Sequence, residues 1–244
     1  MKIIINPAYR HLTAFVESIP QRFSTEGETI YKSRNEIKVF ETNGIKINVK
    51  QYKVPIFLNR IIYTFFRKTK AYRAYAYAFR LLAQGFETPS PVACIIIKKA
   101  GLIHLSYFIS IQSPFTRIMY EFGKGTLDGR TTVIRCLAHY TAKLHDAGIY
   151  HKDFSPGNIL FQQTDADTTQ FSIVDINRMQ FCPVSIRKGC ANFARLWGND
   201  DMFHLIAREY AAARHADIDD CTRWIFFYWK RFWKKYARFH KMPY

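Results

Sequence analysis

The chain has 244 residues, 48% of them hydrophobic, so it can bury a substantial core and is neither fibrous nor disordered. Thirty-six Lys and Arg against 19 Asp and Glu give a formal net charge of +17, which makes something acidic the expected partner. Every hydrophobic stretch is cut by Lys, Arg, Asp or Pro, which excludes a run of about 18 uncharged apolar residues able to span a bilayer.

In chain order, MKIIINPAYRH resembles a signal peptide only over three isoleucines before Pro7 ends the run, so the expected location is the cytoplasm. The five cysteines (Cys94, Cys136, Cys182, Cys190, Cys221) are odd in number and without C-x-x-C spacing, and read as reduced core thiols. Residues 28–53 alternate β-branched and aromatic residues with polar ones around two turns, Ser33-Arg34-Asn35 and Asn43-Gly44, which predicts three antiparallel strands. Residues 56–84 lose the alternation and turn rich in Arg, Ala, Leu and Tyr before Gly85: a helix. After Pro89 and Pro91, VACIIIKKAGLIHLSYFISI reads as two strands joined near Lys99-Ala100-Gly101. Residues 1–112 are therefore expected to form a small antiparallel sheet carrying one helix.

Residues 113–244 change character. Val133, Ile134, Leu137, Tyr140 and Leu144 recur at helical spacing, and Gly148 closes that helix. HKDFSPGNIL follows: Asp, Ser, Pro, Gly and Asn form strands and helices poorly, so residues 153–158 read as a tight polar loop before a strand at Ile159-Leu160-Phe161. A polar turn and a second strand then deliver Asp175, and the chain reads as helical from about residue 186 to its end.

Charge is segregated. Between Glu41 and Glu87 lie nine Lys or Arg and no acid, and after Asp220 seven basic residues interleave with Trp224, Phe226, Phe227, Tyr228, Trp229, Phe232, Trp233, Tyr236 and Phe239. Three readings of this tail stay open. It suits an anionic membrane surface, it suits nucleic acid through phosphate contacts and stacking, and it also suits a helix whose rings pack on the core while its bases are solvated.

The order of three strands with Lys50, helix, two strands, long helix, His151-x-Asp153-x4-Asn158, two strands and Asp175 resembles a protein-kinase-like fold over about residues 28–210. RNEIKVFE, INVKQYK, HKDFSPGNILF and VDINRMQF resemble, within it, the bacterial lipopolysaccharide kinases that phosphorylate Kdo or heptose of the inner core. The resemblance implies an α+β, two-lobed fold: an N-lobe over 1–112 on the nucleotide side and a helical C-lobe over 113–244 holding the catalytic loop. It implies ATP and Mg2+ as cofactors. Phosphoryl transfer needs the triphosphate and attacking hydroxyl held in line and the oxygen charges neutralised. Asp153 accepts or orients the sugar hydroxyl's proton in this reading. Asn158 and Asp175 hold magnesium, and Lys50 pairs with phosphates, with Lys53 as fallback. Arg34 and Asn35, in the turn where the superfamily has glycines, cover phosphates; His151 orients the loop.

Three features depart from the superfamily pattern. No G-x-G-x-x-G precedes the second strand; the helix has no glutamate to pair with Lys50, leaving Glu36 as a candidate; and Asp175-Ile176-Asn177 replaces D-F-G. The last argues for a fixed site in a small-molecule or glycolipid kinase rather than a swinging activation loop. The expected acceptor is the lipid A-linked core oligosaccharide. Expected with it is an enzyme peripherally associated with the inner membrane from the cytoplasmic side, its basic aromatic tail on the anionic surface. The alternatives are a pseudokinase that binds an acidic lipid or partner, and a soluble small-molecule phosphotransferase. Nucleic acid is the weakest reading, resting only on the basic aromatic clusters.

Overall fold

The computed structural model describes residues 1–124 and 126–239, so the HKMPY end of the tail lies outside the described residues. Two units divide the chain, Met1–Pro114 with Ile176–Arg178, and Phe115–Asp175 with Met179 onward.

The first unit contains β1 (Lys2–Ile5), α1 (Thr13–Arg22), β2 (Glu28–Lys32), β3 (Glu36–Thr42), β4 (Ile45–Tyr52), α2 (Phe57–Ile61), α3 (Lys70–Leu82), β5 (Pro91–Lys99) and β6 (Leu102–Ile111). Among the described residues its strands form one six-stranded antiparallel sheet in the order β1-β5-β6-β4-β3-β2. Asn43 and Gly44 both have positive φ (51° and 72°), as a two-residue type I′ turn requires, and they join β3 to β4 in the expected hairpin. Side chains alternate across β4. Ile47 and Val49 pack with Phe15, Val16 and Ile19 of α1 on one face, while Tyr52 packs with Ala71 and Tyr75 of α3 on the other.

Helix α1 is an addition to the single helix expected here. Leu12, Phe15, Val16, Ile19 and Phe23 recur at i, i+3, i+4, i+7 and i+11 and are all buried, so the signal was present in the first 27 residues. MKIII, which resembled the start of a signal peptide, is the edge strand β1 paired to β5. The helix expected through 56–84 is interrupted. A wide turn over Ile62–Phe66 follows α2, Arg67 is extended (φ −135°, ψ 133°), and Thr69 restarts the helix by accepting from the Tyr72 N–H at 3.1 Å. A threonine hydroxyl satisfies an orphan amide at a helix start and so favours a new N-terminus there over continuation.

The second unit contains β7 (Arg117–Ile118), α4 (Thr131–Asp146), β8 (Ile149–Tyr150), β9 (Ile159–Gln163), β10 (Thr169–Ile173), β11 (Gln180–Phe181), α5 (Ile186–Cys190), α6 (Asp200–Ala213) and α7 (Ile218–Tyr236). Helix α4 buries Val133, Ile134, Leu137, Ala138, Thr141, Ala142, Leu144 and His145 along one stripe and packs on α6, which packs on α7. Two short ladders, β10-β9-β7 and β11-β8, frame the polar loop between β8 and β9. The turn Ile176–Arg178, directly after Asp175, packs on α3 as part of the first unit.

Candidate active site

The loop of residues 151–158 is held from beneath by a buried histidine. His151 is 1% exposed, and its Nε2 lies 3.0 Å from the Val174 carbonyl, which can only accept, so Nε2 carries the proton. Its Nδ1 then accepts from the Asp153 N–H at 3.1 Å. Burial pushes its pKa down, in keeping with a neutral ring that has one donor and one acceptor already used. The ring thereby fixes Asp153 relative to the strand that ends beside Asp175.

Asn158 closes the loop. Its amide nitrogen donates to the Asp153 carbonyl (2.8 Å) and Ser155 Oγ (3.1 Å), while the Val174 N–H donates to its backbone carbonyl at 3.0 Å. That bond extends the β9–β10 hairpin by one step, so Asn158 and Asp175 emerge at the same end of it. Asp175 adopts φ +55°, a left-handed conformation in which Asp and Asn are enriched among non-glycine residues. A carboxylate and an amide oxygen at one hairpin end are the hard oxygen donors that Mg2+ prefers, and with water and phosphate oxygens they need no dedicated cage. The residues fit the cation.

Asp153 has a partner that the sequence reading missed. Arg195 Nη1 donates to Asp153 Oδ1 at 2.7 Å, and the guanidinium sits 5.2 Å over the Phe232 ring of α7. Helix α7 also fixes the stretch that carries Arg195, because the indole N–H groups of Trp229 and Trp233 both donate to the Leu196 carbonyl at 3.3 and 3.2 Å. No motif marks Arg195; it lies 42 residues beyond Asp153 and reaches it only through folding.

Beneath the loop the network continues. The Asn192 amide nitrogen donates to the His151 carbonyl at 2.9 Å, and its Oδ1 accepts from His145 Nε2 at 3.0 Å. His145 Nδ1 accepts from the Tyr210 hydroxyl (2.8 Å), which accepts in turn from Arg214 Nη1 (2.9 Å). Burial pushes His145 down to about 4, so it is neutral, as this donor and acceptor pattern requires. A Cβ at Gly189 would collide with the Tyr210 hydroxyl and lie 2.8 Å from His145 Nδ1, so glycine is needed for the chain to pass this network. His145 was legible as a polar residue in an apolar helical stripe.

In the first unit, Lys50 stands on the α3 face of β4 with Nζ 5.5 Å over the Tyr52 ring. Arg34 and Asn35 line a cavity of about 280 Å³ together with Lys53, Asn59 and Lys70. Asn35 Oδ1 accepts from the Lys53 N–H at 3.3 Å, tying the turn to the end of β4. The structure thus brings Arg34, Asn35 and the fallback Lys53 together, with Lys50 outside that wall. Glu36 is not placed to hold Lys50. Register sets Ile37 opposite Lys50, so Glu36 points to the other sheet face, where it pairs with Lys32 at 3.3 Å. Helix α3, which has no acid, buries Arg73, whose pKa is lowered by burial and then by Arg67.

Most of the tail's rings pack inward. Cys221, Ile225 and Trp233 are buried, Phe226 meets Phe203 edge-on and Trp229 packs tilted against it, and Tyr228 accepts from Arg187. Phe227 and Phe239 are the rings left exposed among the described residues.

The aspartate held by histidine and arginine and the two oxygen donors at one hairpin end lie in the second unit, and the strand lysine facing a helix lies in the first. Residues 17–201, well over half of the chain, match the model of the Lipopolysaccharide kinase (Kdo/WaaP) family, and the chain belongs to that family. It is therefore a kinase with a lipopolysaccharide sugar as acceptor class, and membership implies ATP as phosphoryl donor. A solved structure, WaaP in complex with acyl carrier protein, is similar at 15% identity with a TM-score of 0.67, covering 99% of this chain and 100% of that one. In all, 941 chains of solved structures match, so the fold is widely shared and does not by itself choose an acceptor. No curated protein matches in sequence.

Proposed function

We propose that the chain transfers the γ-phosphoryl group of ATP to a hydroxyl of Kdo or heptose on the lipid A-linked core, at the cytoplasmic face of the inner membrane. The observation that carries this reading is the loop itself: Asp153 is fixed by His151 beneath and Arg195 beside it. Its carboxylate accepts the acceptor hydroxyl's proton or orients it, and Arg195 holds that carboxylate in place. Magnesium, when bound, neutralises phosphate oxygens, and Asn158 and Asp175 would hold it. Lys50 neutralises the α- and β-phosphates, while Arg34, Asn35 and Lys53 form a cationic cover in place of a glycine nest.

The acceptor class explains the charge. A glycolipid rich in phosphate and carboxylate is drawn by a +17 chain, and Arg223, Lys230, Arg231, Lys234 and Lys235 of α7 contribute exposed cations to that attraction. One observation favours the pseudokinase reading instead: α3 offers Lys50 no acid and buries Arg73.

The test is ADP release from ATP and magnesium, with and without deep-core lipid A bearing Kdo. Glycolipid-dependent release that falls by more than about a thousandfold in Asp153→Ala and Asp175→Ala, with unchanged melting, is expected. Wild-type rates in both variants would sink the kinase reading. Nucleotide binding without turnover in the native chain would favour the pseudokinase.

A further inference from the structure

Residues 54–68, VPIFLNRIIYTFFRK, are built inside out. A surface helix ordinarily buries its apolar stripe and shows its polar one. Here polar groups make the attachment. Arg60 donates from Nε to the Ile103 carbonyl (2.8 Å) and from Nη2 to the Lys99 carbonyl (3.3 Å). The Ile103 N–H donates to Thr64 Oγ1 at 2.9 Å, and that hydroxyl donates to the Arg60 carbonyl at 2.6 Å. Neither α2 nor the wide turn after it buries a single residue, and Ile56, Phe57, Leu58, Phe65 and Phe66 are 64–83% exposed.

The surroundings are wholly basic. Lys53, Arg67 and Lys68 are exposed beside these side chains, and no acid occurs from residue 42 to residue 86. Next to Phe65 and Phe66 opens a cavity of about 500 Å³ whose wall carries Lys2, Arg67, Lys68 and Lys98. Exposed apolar side chains flanked by cations, beside a cavity lined in part by Lys2, Arg67, Lys68 and Lys98, suit the interface of an anionic bilayer. The rings enter the acyl boundary, and the cavity receives headgroup phosphates. A patch this apolar left in water would be an aggregation liability.

We infer that residues 54–68 form a membrane-docking surface that inserts Phe57, Leu58, Phe65 and Phe66 into an anionic bilayer. The choice of a bilayer over an acidic protein rests on the glycolipid-kinase reading; the inverted amphipathic segment stands without it.

The experiment is flotation of the full chain with vesicles of phosphatidylethanolamine and phosphatidylglycerol, compared with phosphatidylcholine alone and read without ATP. The wild-type chain floats with the anionic vesicles. The combined variant Phe57→Ser, Leu58→Ser, Phe65→Ser, Phe66→Ser keeps its melting temperature and loses on the order of a hundredfold in vesicle affinity. Arg67→Gln with Lys68→Gln loses roughly tenfold on anionic vesicles and nothing on phosphatidylcholine. Vesicle binding retained by the quadruple variant overturns the proposal, as does a concentration-dependent dimer of the wild-type chain that this variant abolishes, which would assign the surface to a second copy. A chain that binds vesicles through these residues but turns over no glycolipid keeps the docking surface and loses the kinase reading. A chain whose turnover on detergent-solubilised acceptor survives while vesicle binding ignores the variant does the reverse.

Discussion

Helix α7 and residues 54–68 are alike as strings of letters and opposite as structures. Both interleave large apolar side chains with bases, and both lack acid over most of their length. In α7, Ile225, Trp229, Phe232, Trp233 and Tyr236 fall on one stripe at i, i+4, i+7, i+8 and i+11, Ile225 and Trp233 are buried, and Trp229, Phe232 and Trp233 meet Phe203, Arg195 and Trp197. In 54–68 it is Arg60 and Thr64, four residues apart, that make the hydrogen bonds to β6, and the rings of Phe57, Phe65 and Phe66 are left outside. Composition proposes a partner for such a segment; the residue on the inward stripe decides whether the rings or the bases are spent on the protein's own core.

The largest effect that would sharpen this contrast is at Trp233, which is 6% exposed and donates to the Leu196 carbonyl. Trp233→Ala should cost about 3–5 kcal/mol in denaturant unfolding and lower turnover with it, because the turn bearing Arg195 loses its anchor. A fully stable variant would mean that α7 is an appendage after all.

Next in size is the pH response of the network beneath the loop. His145 titrates at about 4 in the folded chain against 6.5 for the free side chain, so the unfolded chain takes up a proton first. Stability is then full above about pH 6.5 and declines as pH falls toward 4, by on the order of 3 kcal/mol in total. Melting temperatures across that range should drop accordingly, and His145→Gln should flatten the slope. A flat profile in the native chain would show that the imidazole is not held neutral.

Arg195→Ala should lower kcat about tenfold to a hundredfold with a small change in melting temperature, since the ion pair with Asp153 is partly solvated. Arg195→Lys should recover part of the loss. An unchanged kcat in both variants would reduce the pair to a surface contact. The smallest effect belongs to the other region. Phe65→Ser and Phe66→Ser should each change stability by less than about 0.5 kcal/mol. A loss near that of Trp233→Ala would show that these rings are packed in solution.

Local signals carried much of the fold into view. Asn43-Gly44 demands positive φ at two adjacent residues, which a hairpin supplies, and the stripe of α4 has no alternative that buries Val133, Ile134 and Leu137 together. Thr69 was the missed helix start, because one hydroxyl favours a new N-terminus over continuation only where the chain also turns at Arg67. In the site, His151, Asp153 and Asn158 lie within eight residues, and their bonds to one another are short-range, so spacing sufficed to bring them out. Glu36 failed as a partner for Lys50 because strand alternation, a matter of register across β3 and β4, sends the two to opposite faces.

The sequence by itself determined most of the strands, helix α4, the polar loop and the kinase-like order, since each depends on contacts between residues near one another in the chain. Only tertiary structure decided that Arg195 reaches Asp153 from 42 residues away, that Trp229 and Trp233 of the tail anchor the stretch bearing Arg195, and that Phe57, Phe65 and Phe66 face outward. Those outcomes turn on which surfaces meet when helices and strands pack, and a side chain's partner across such a surface leaves no period or motif in the string of residues that carries it.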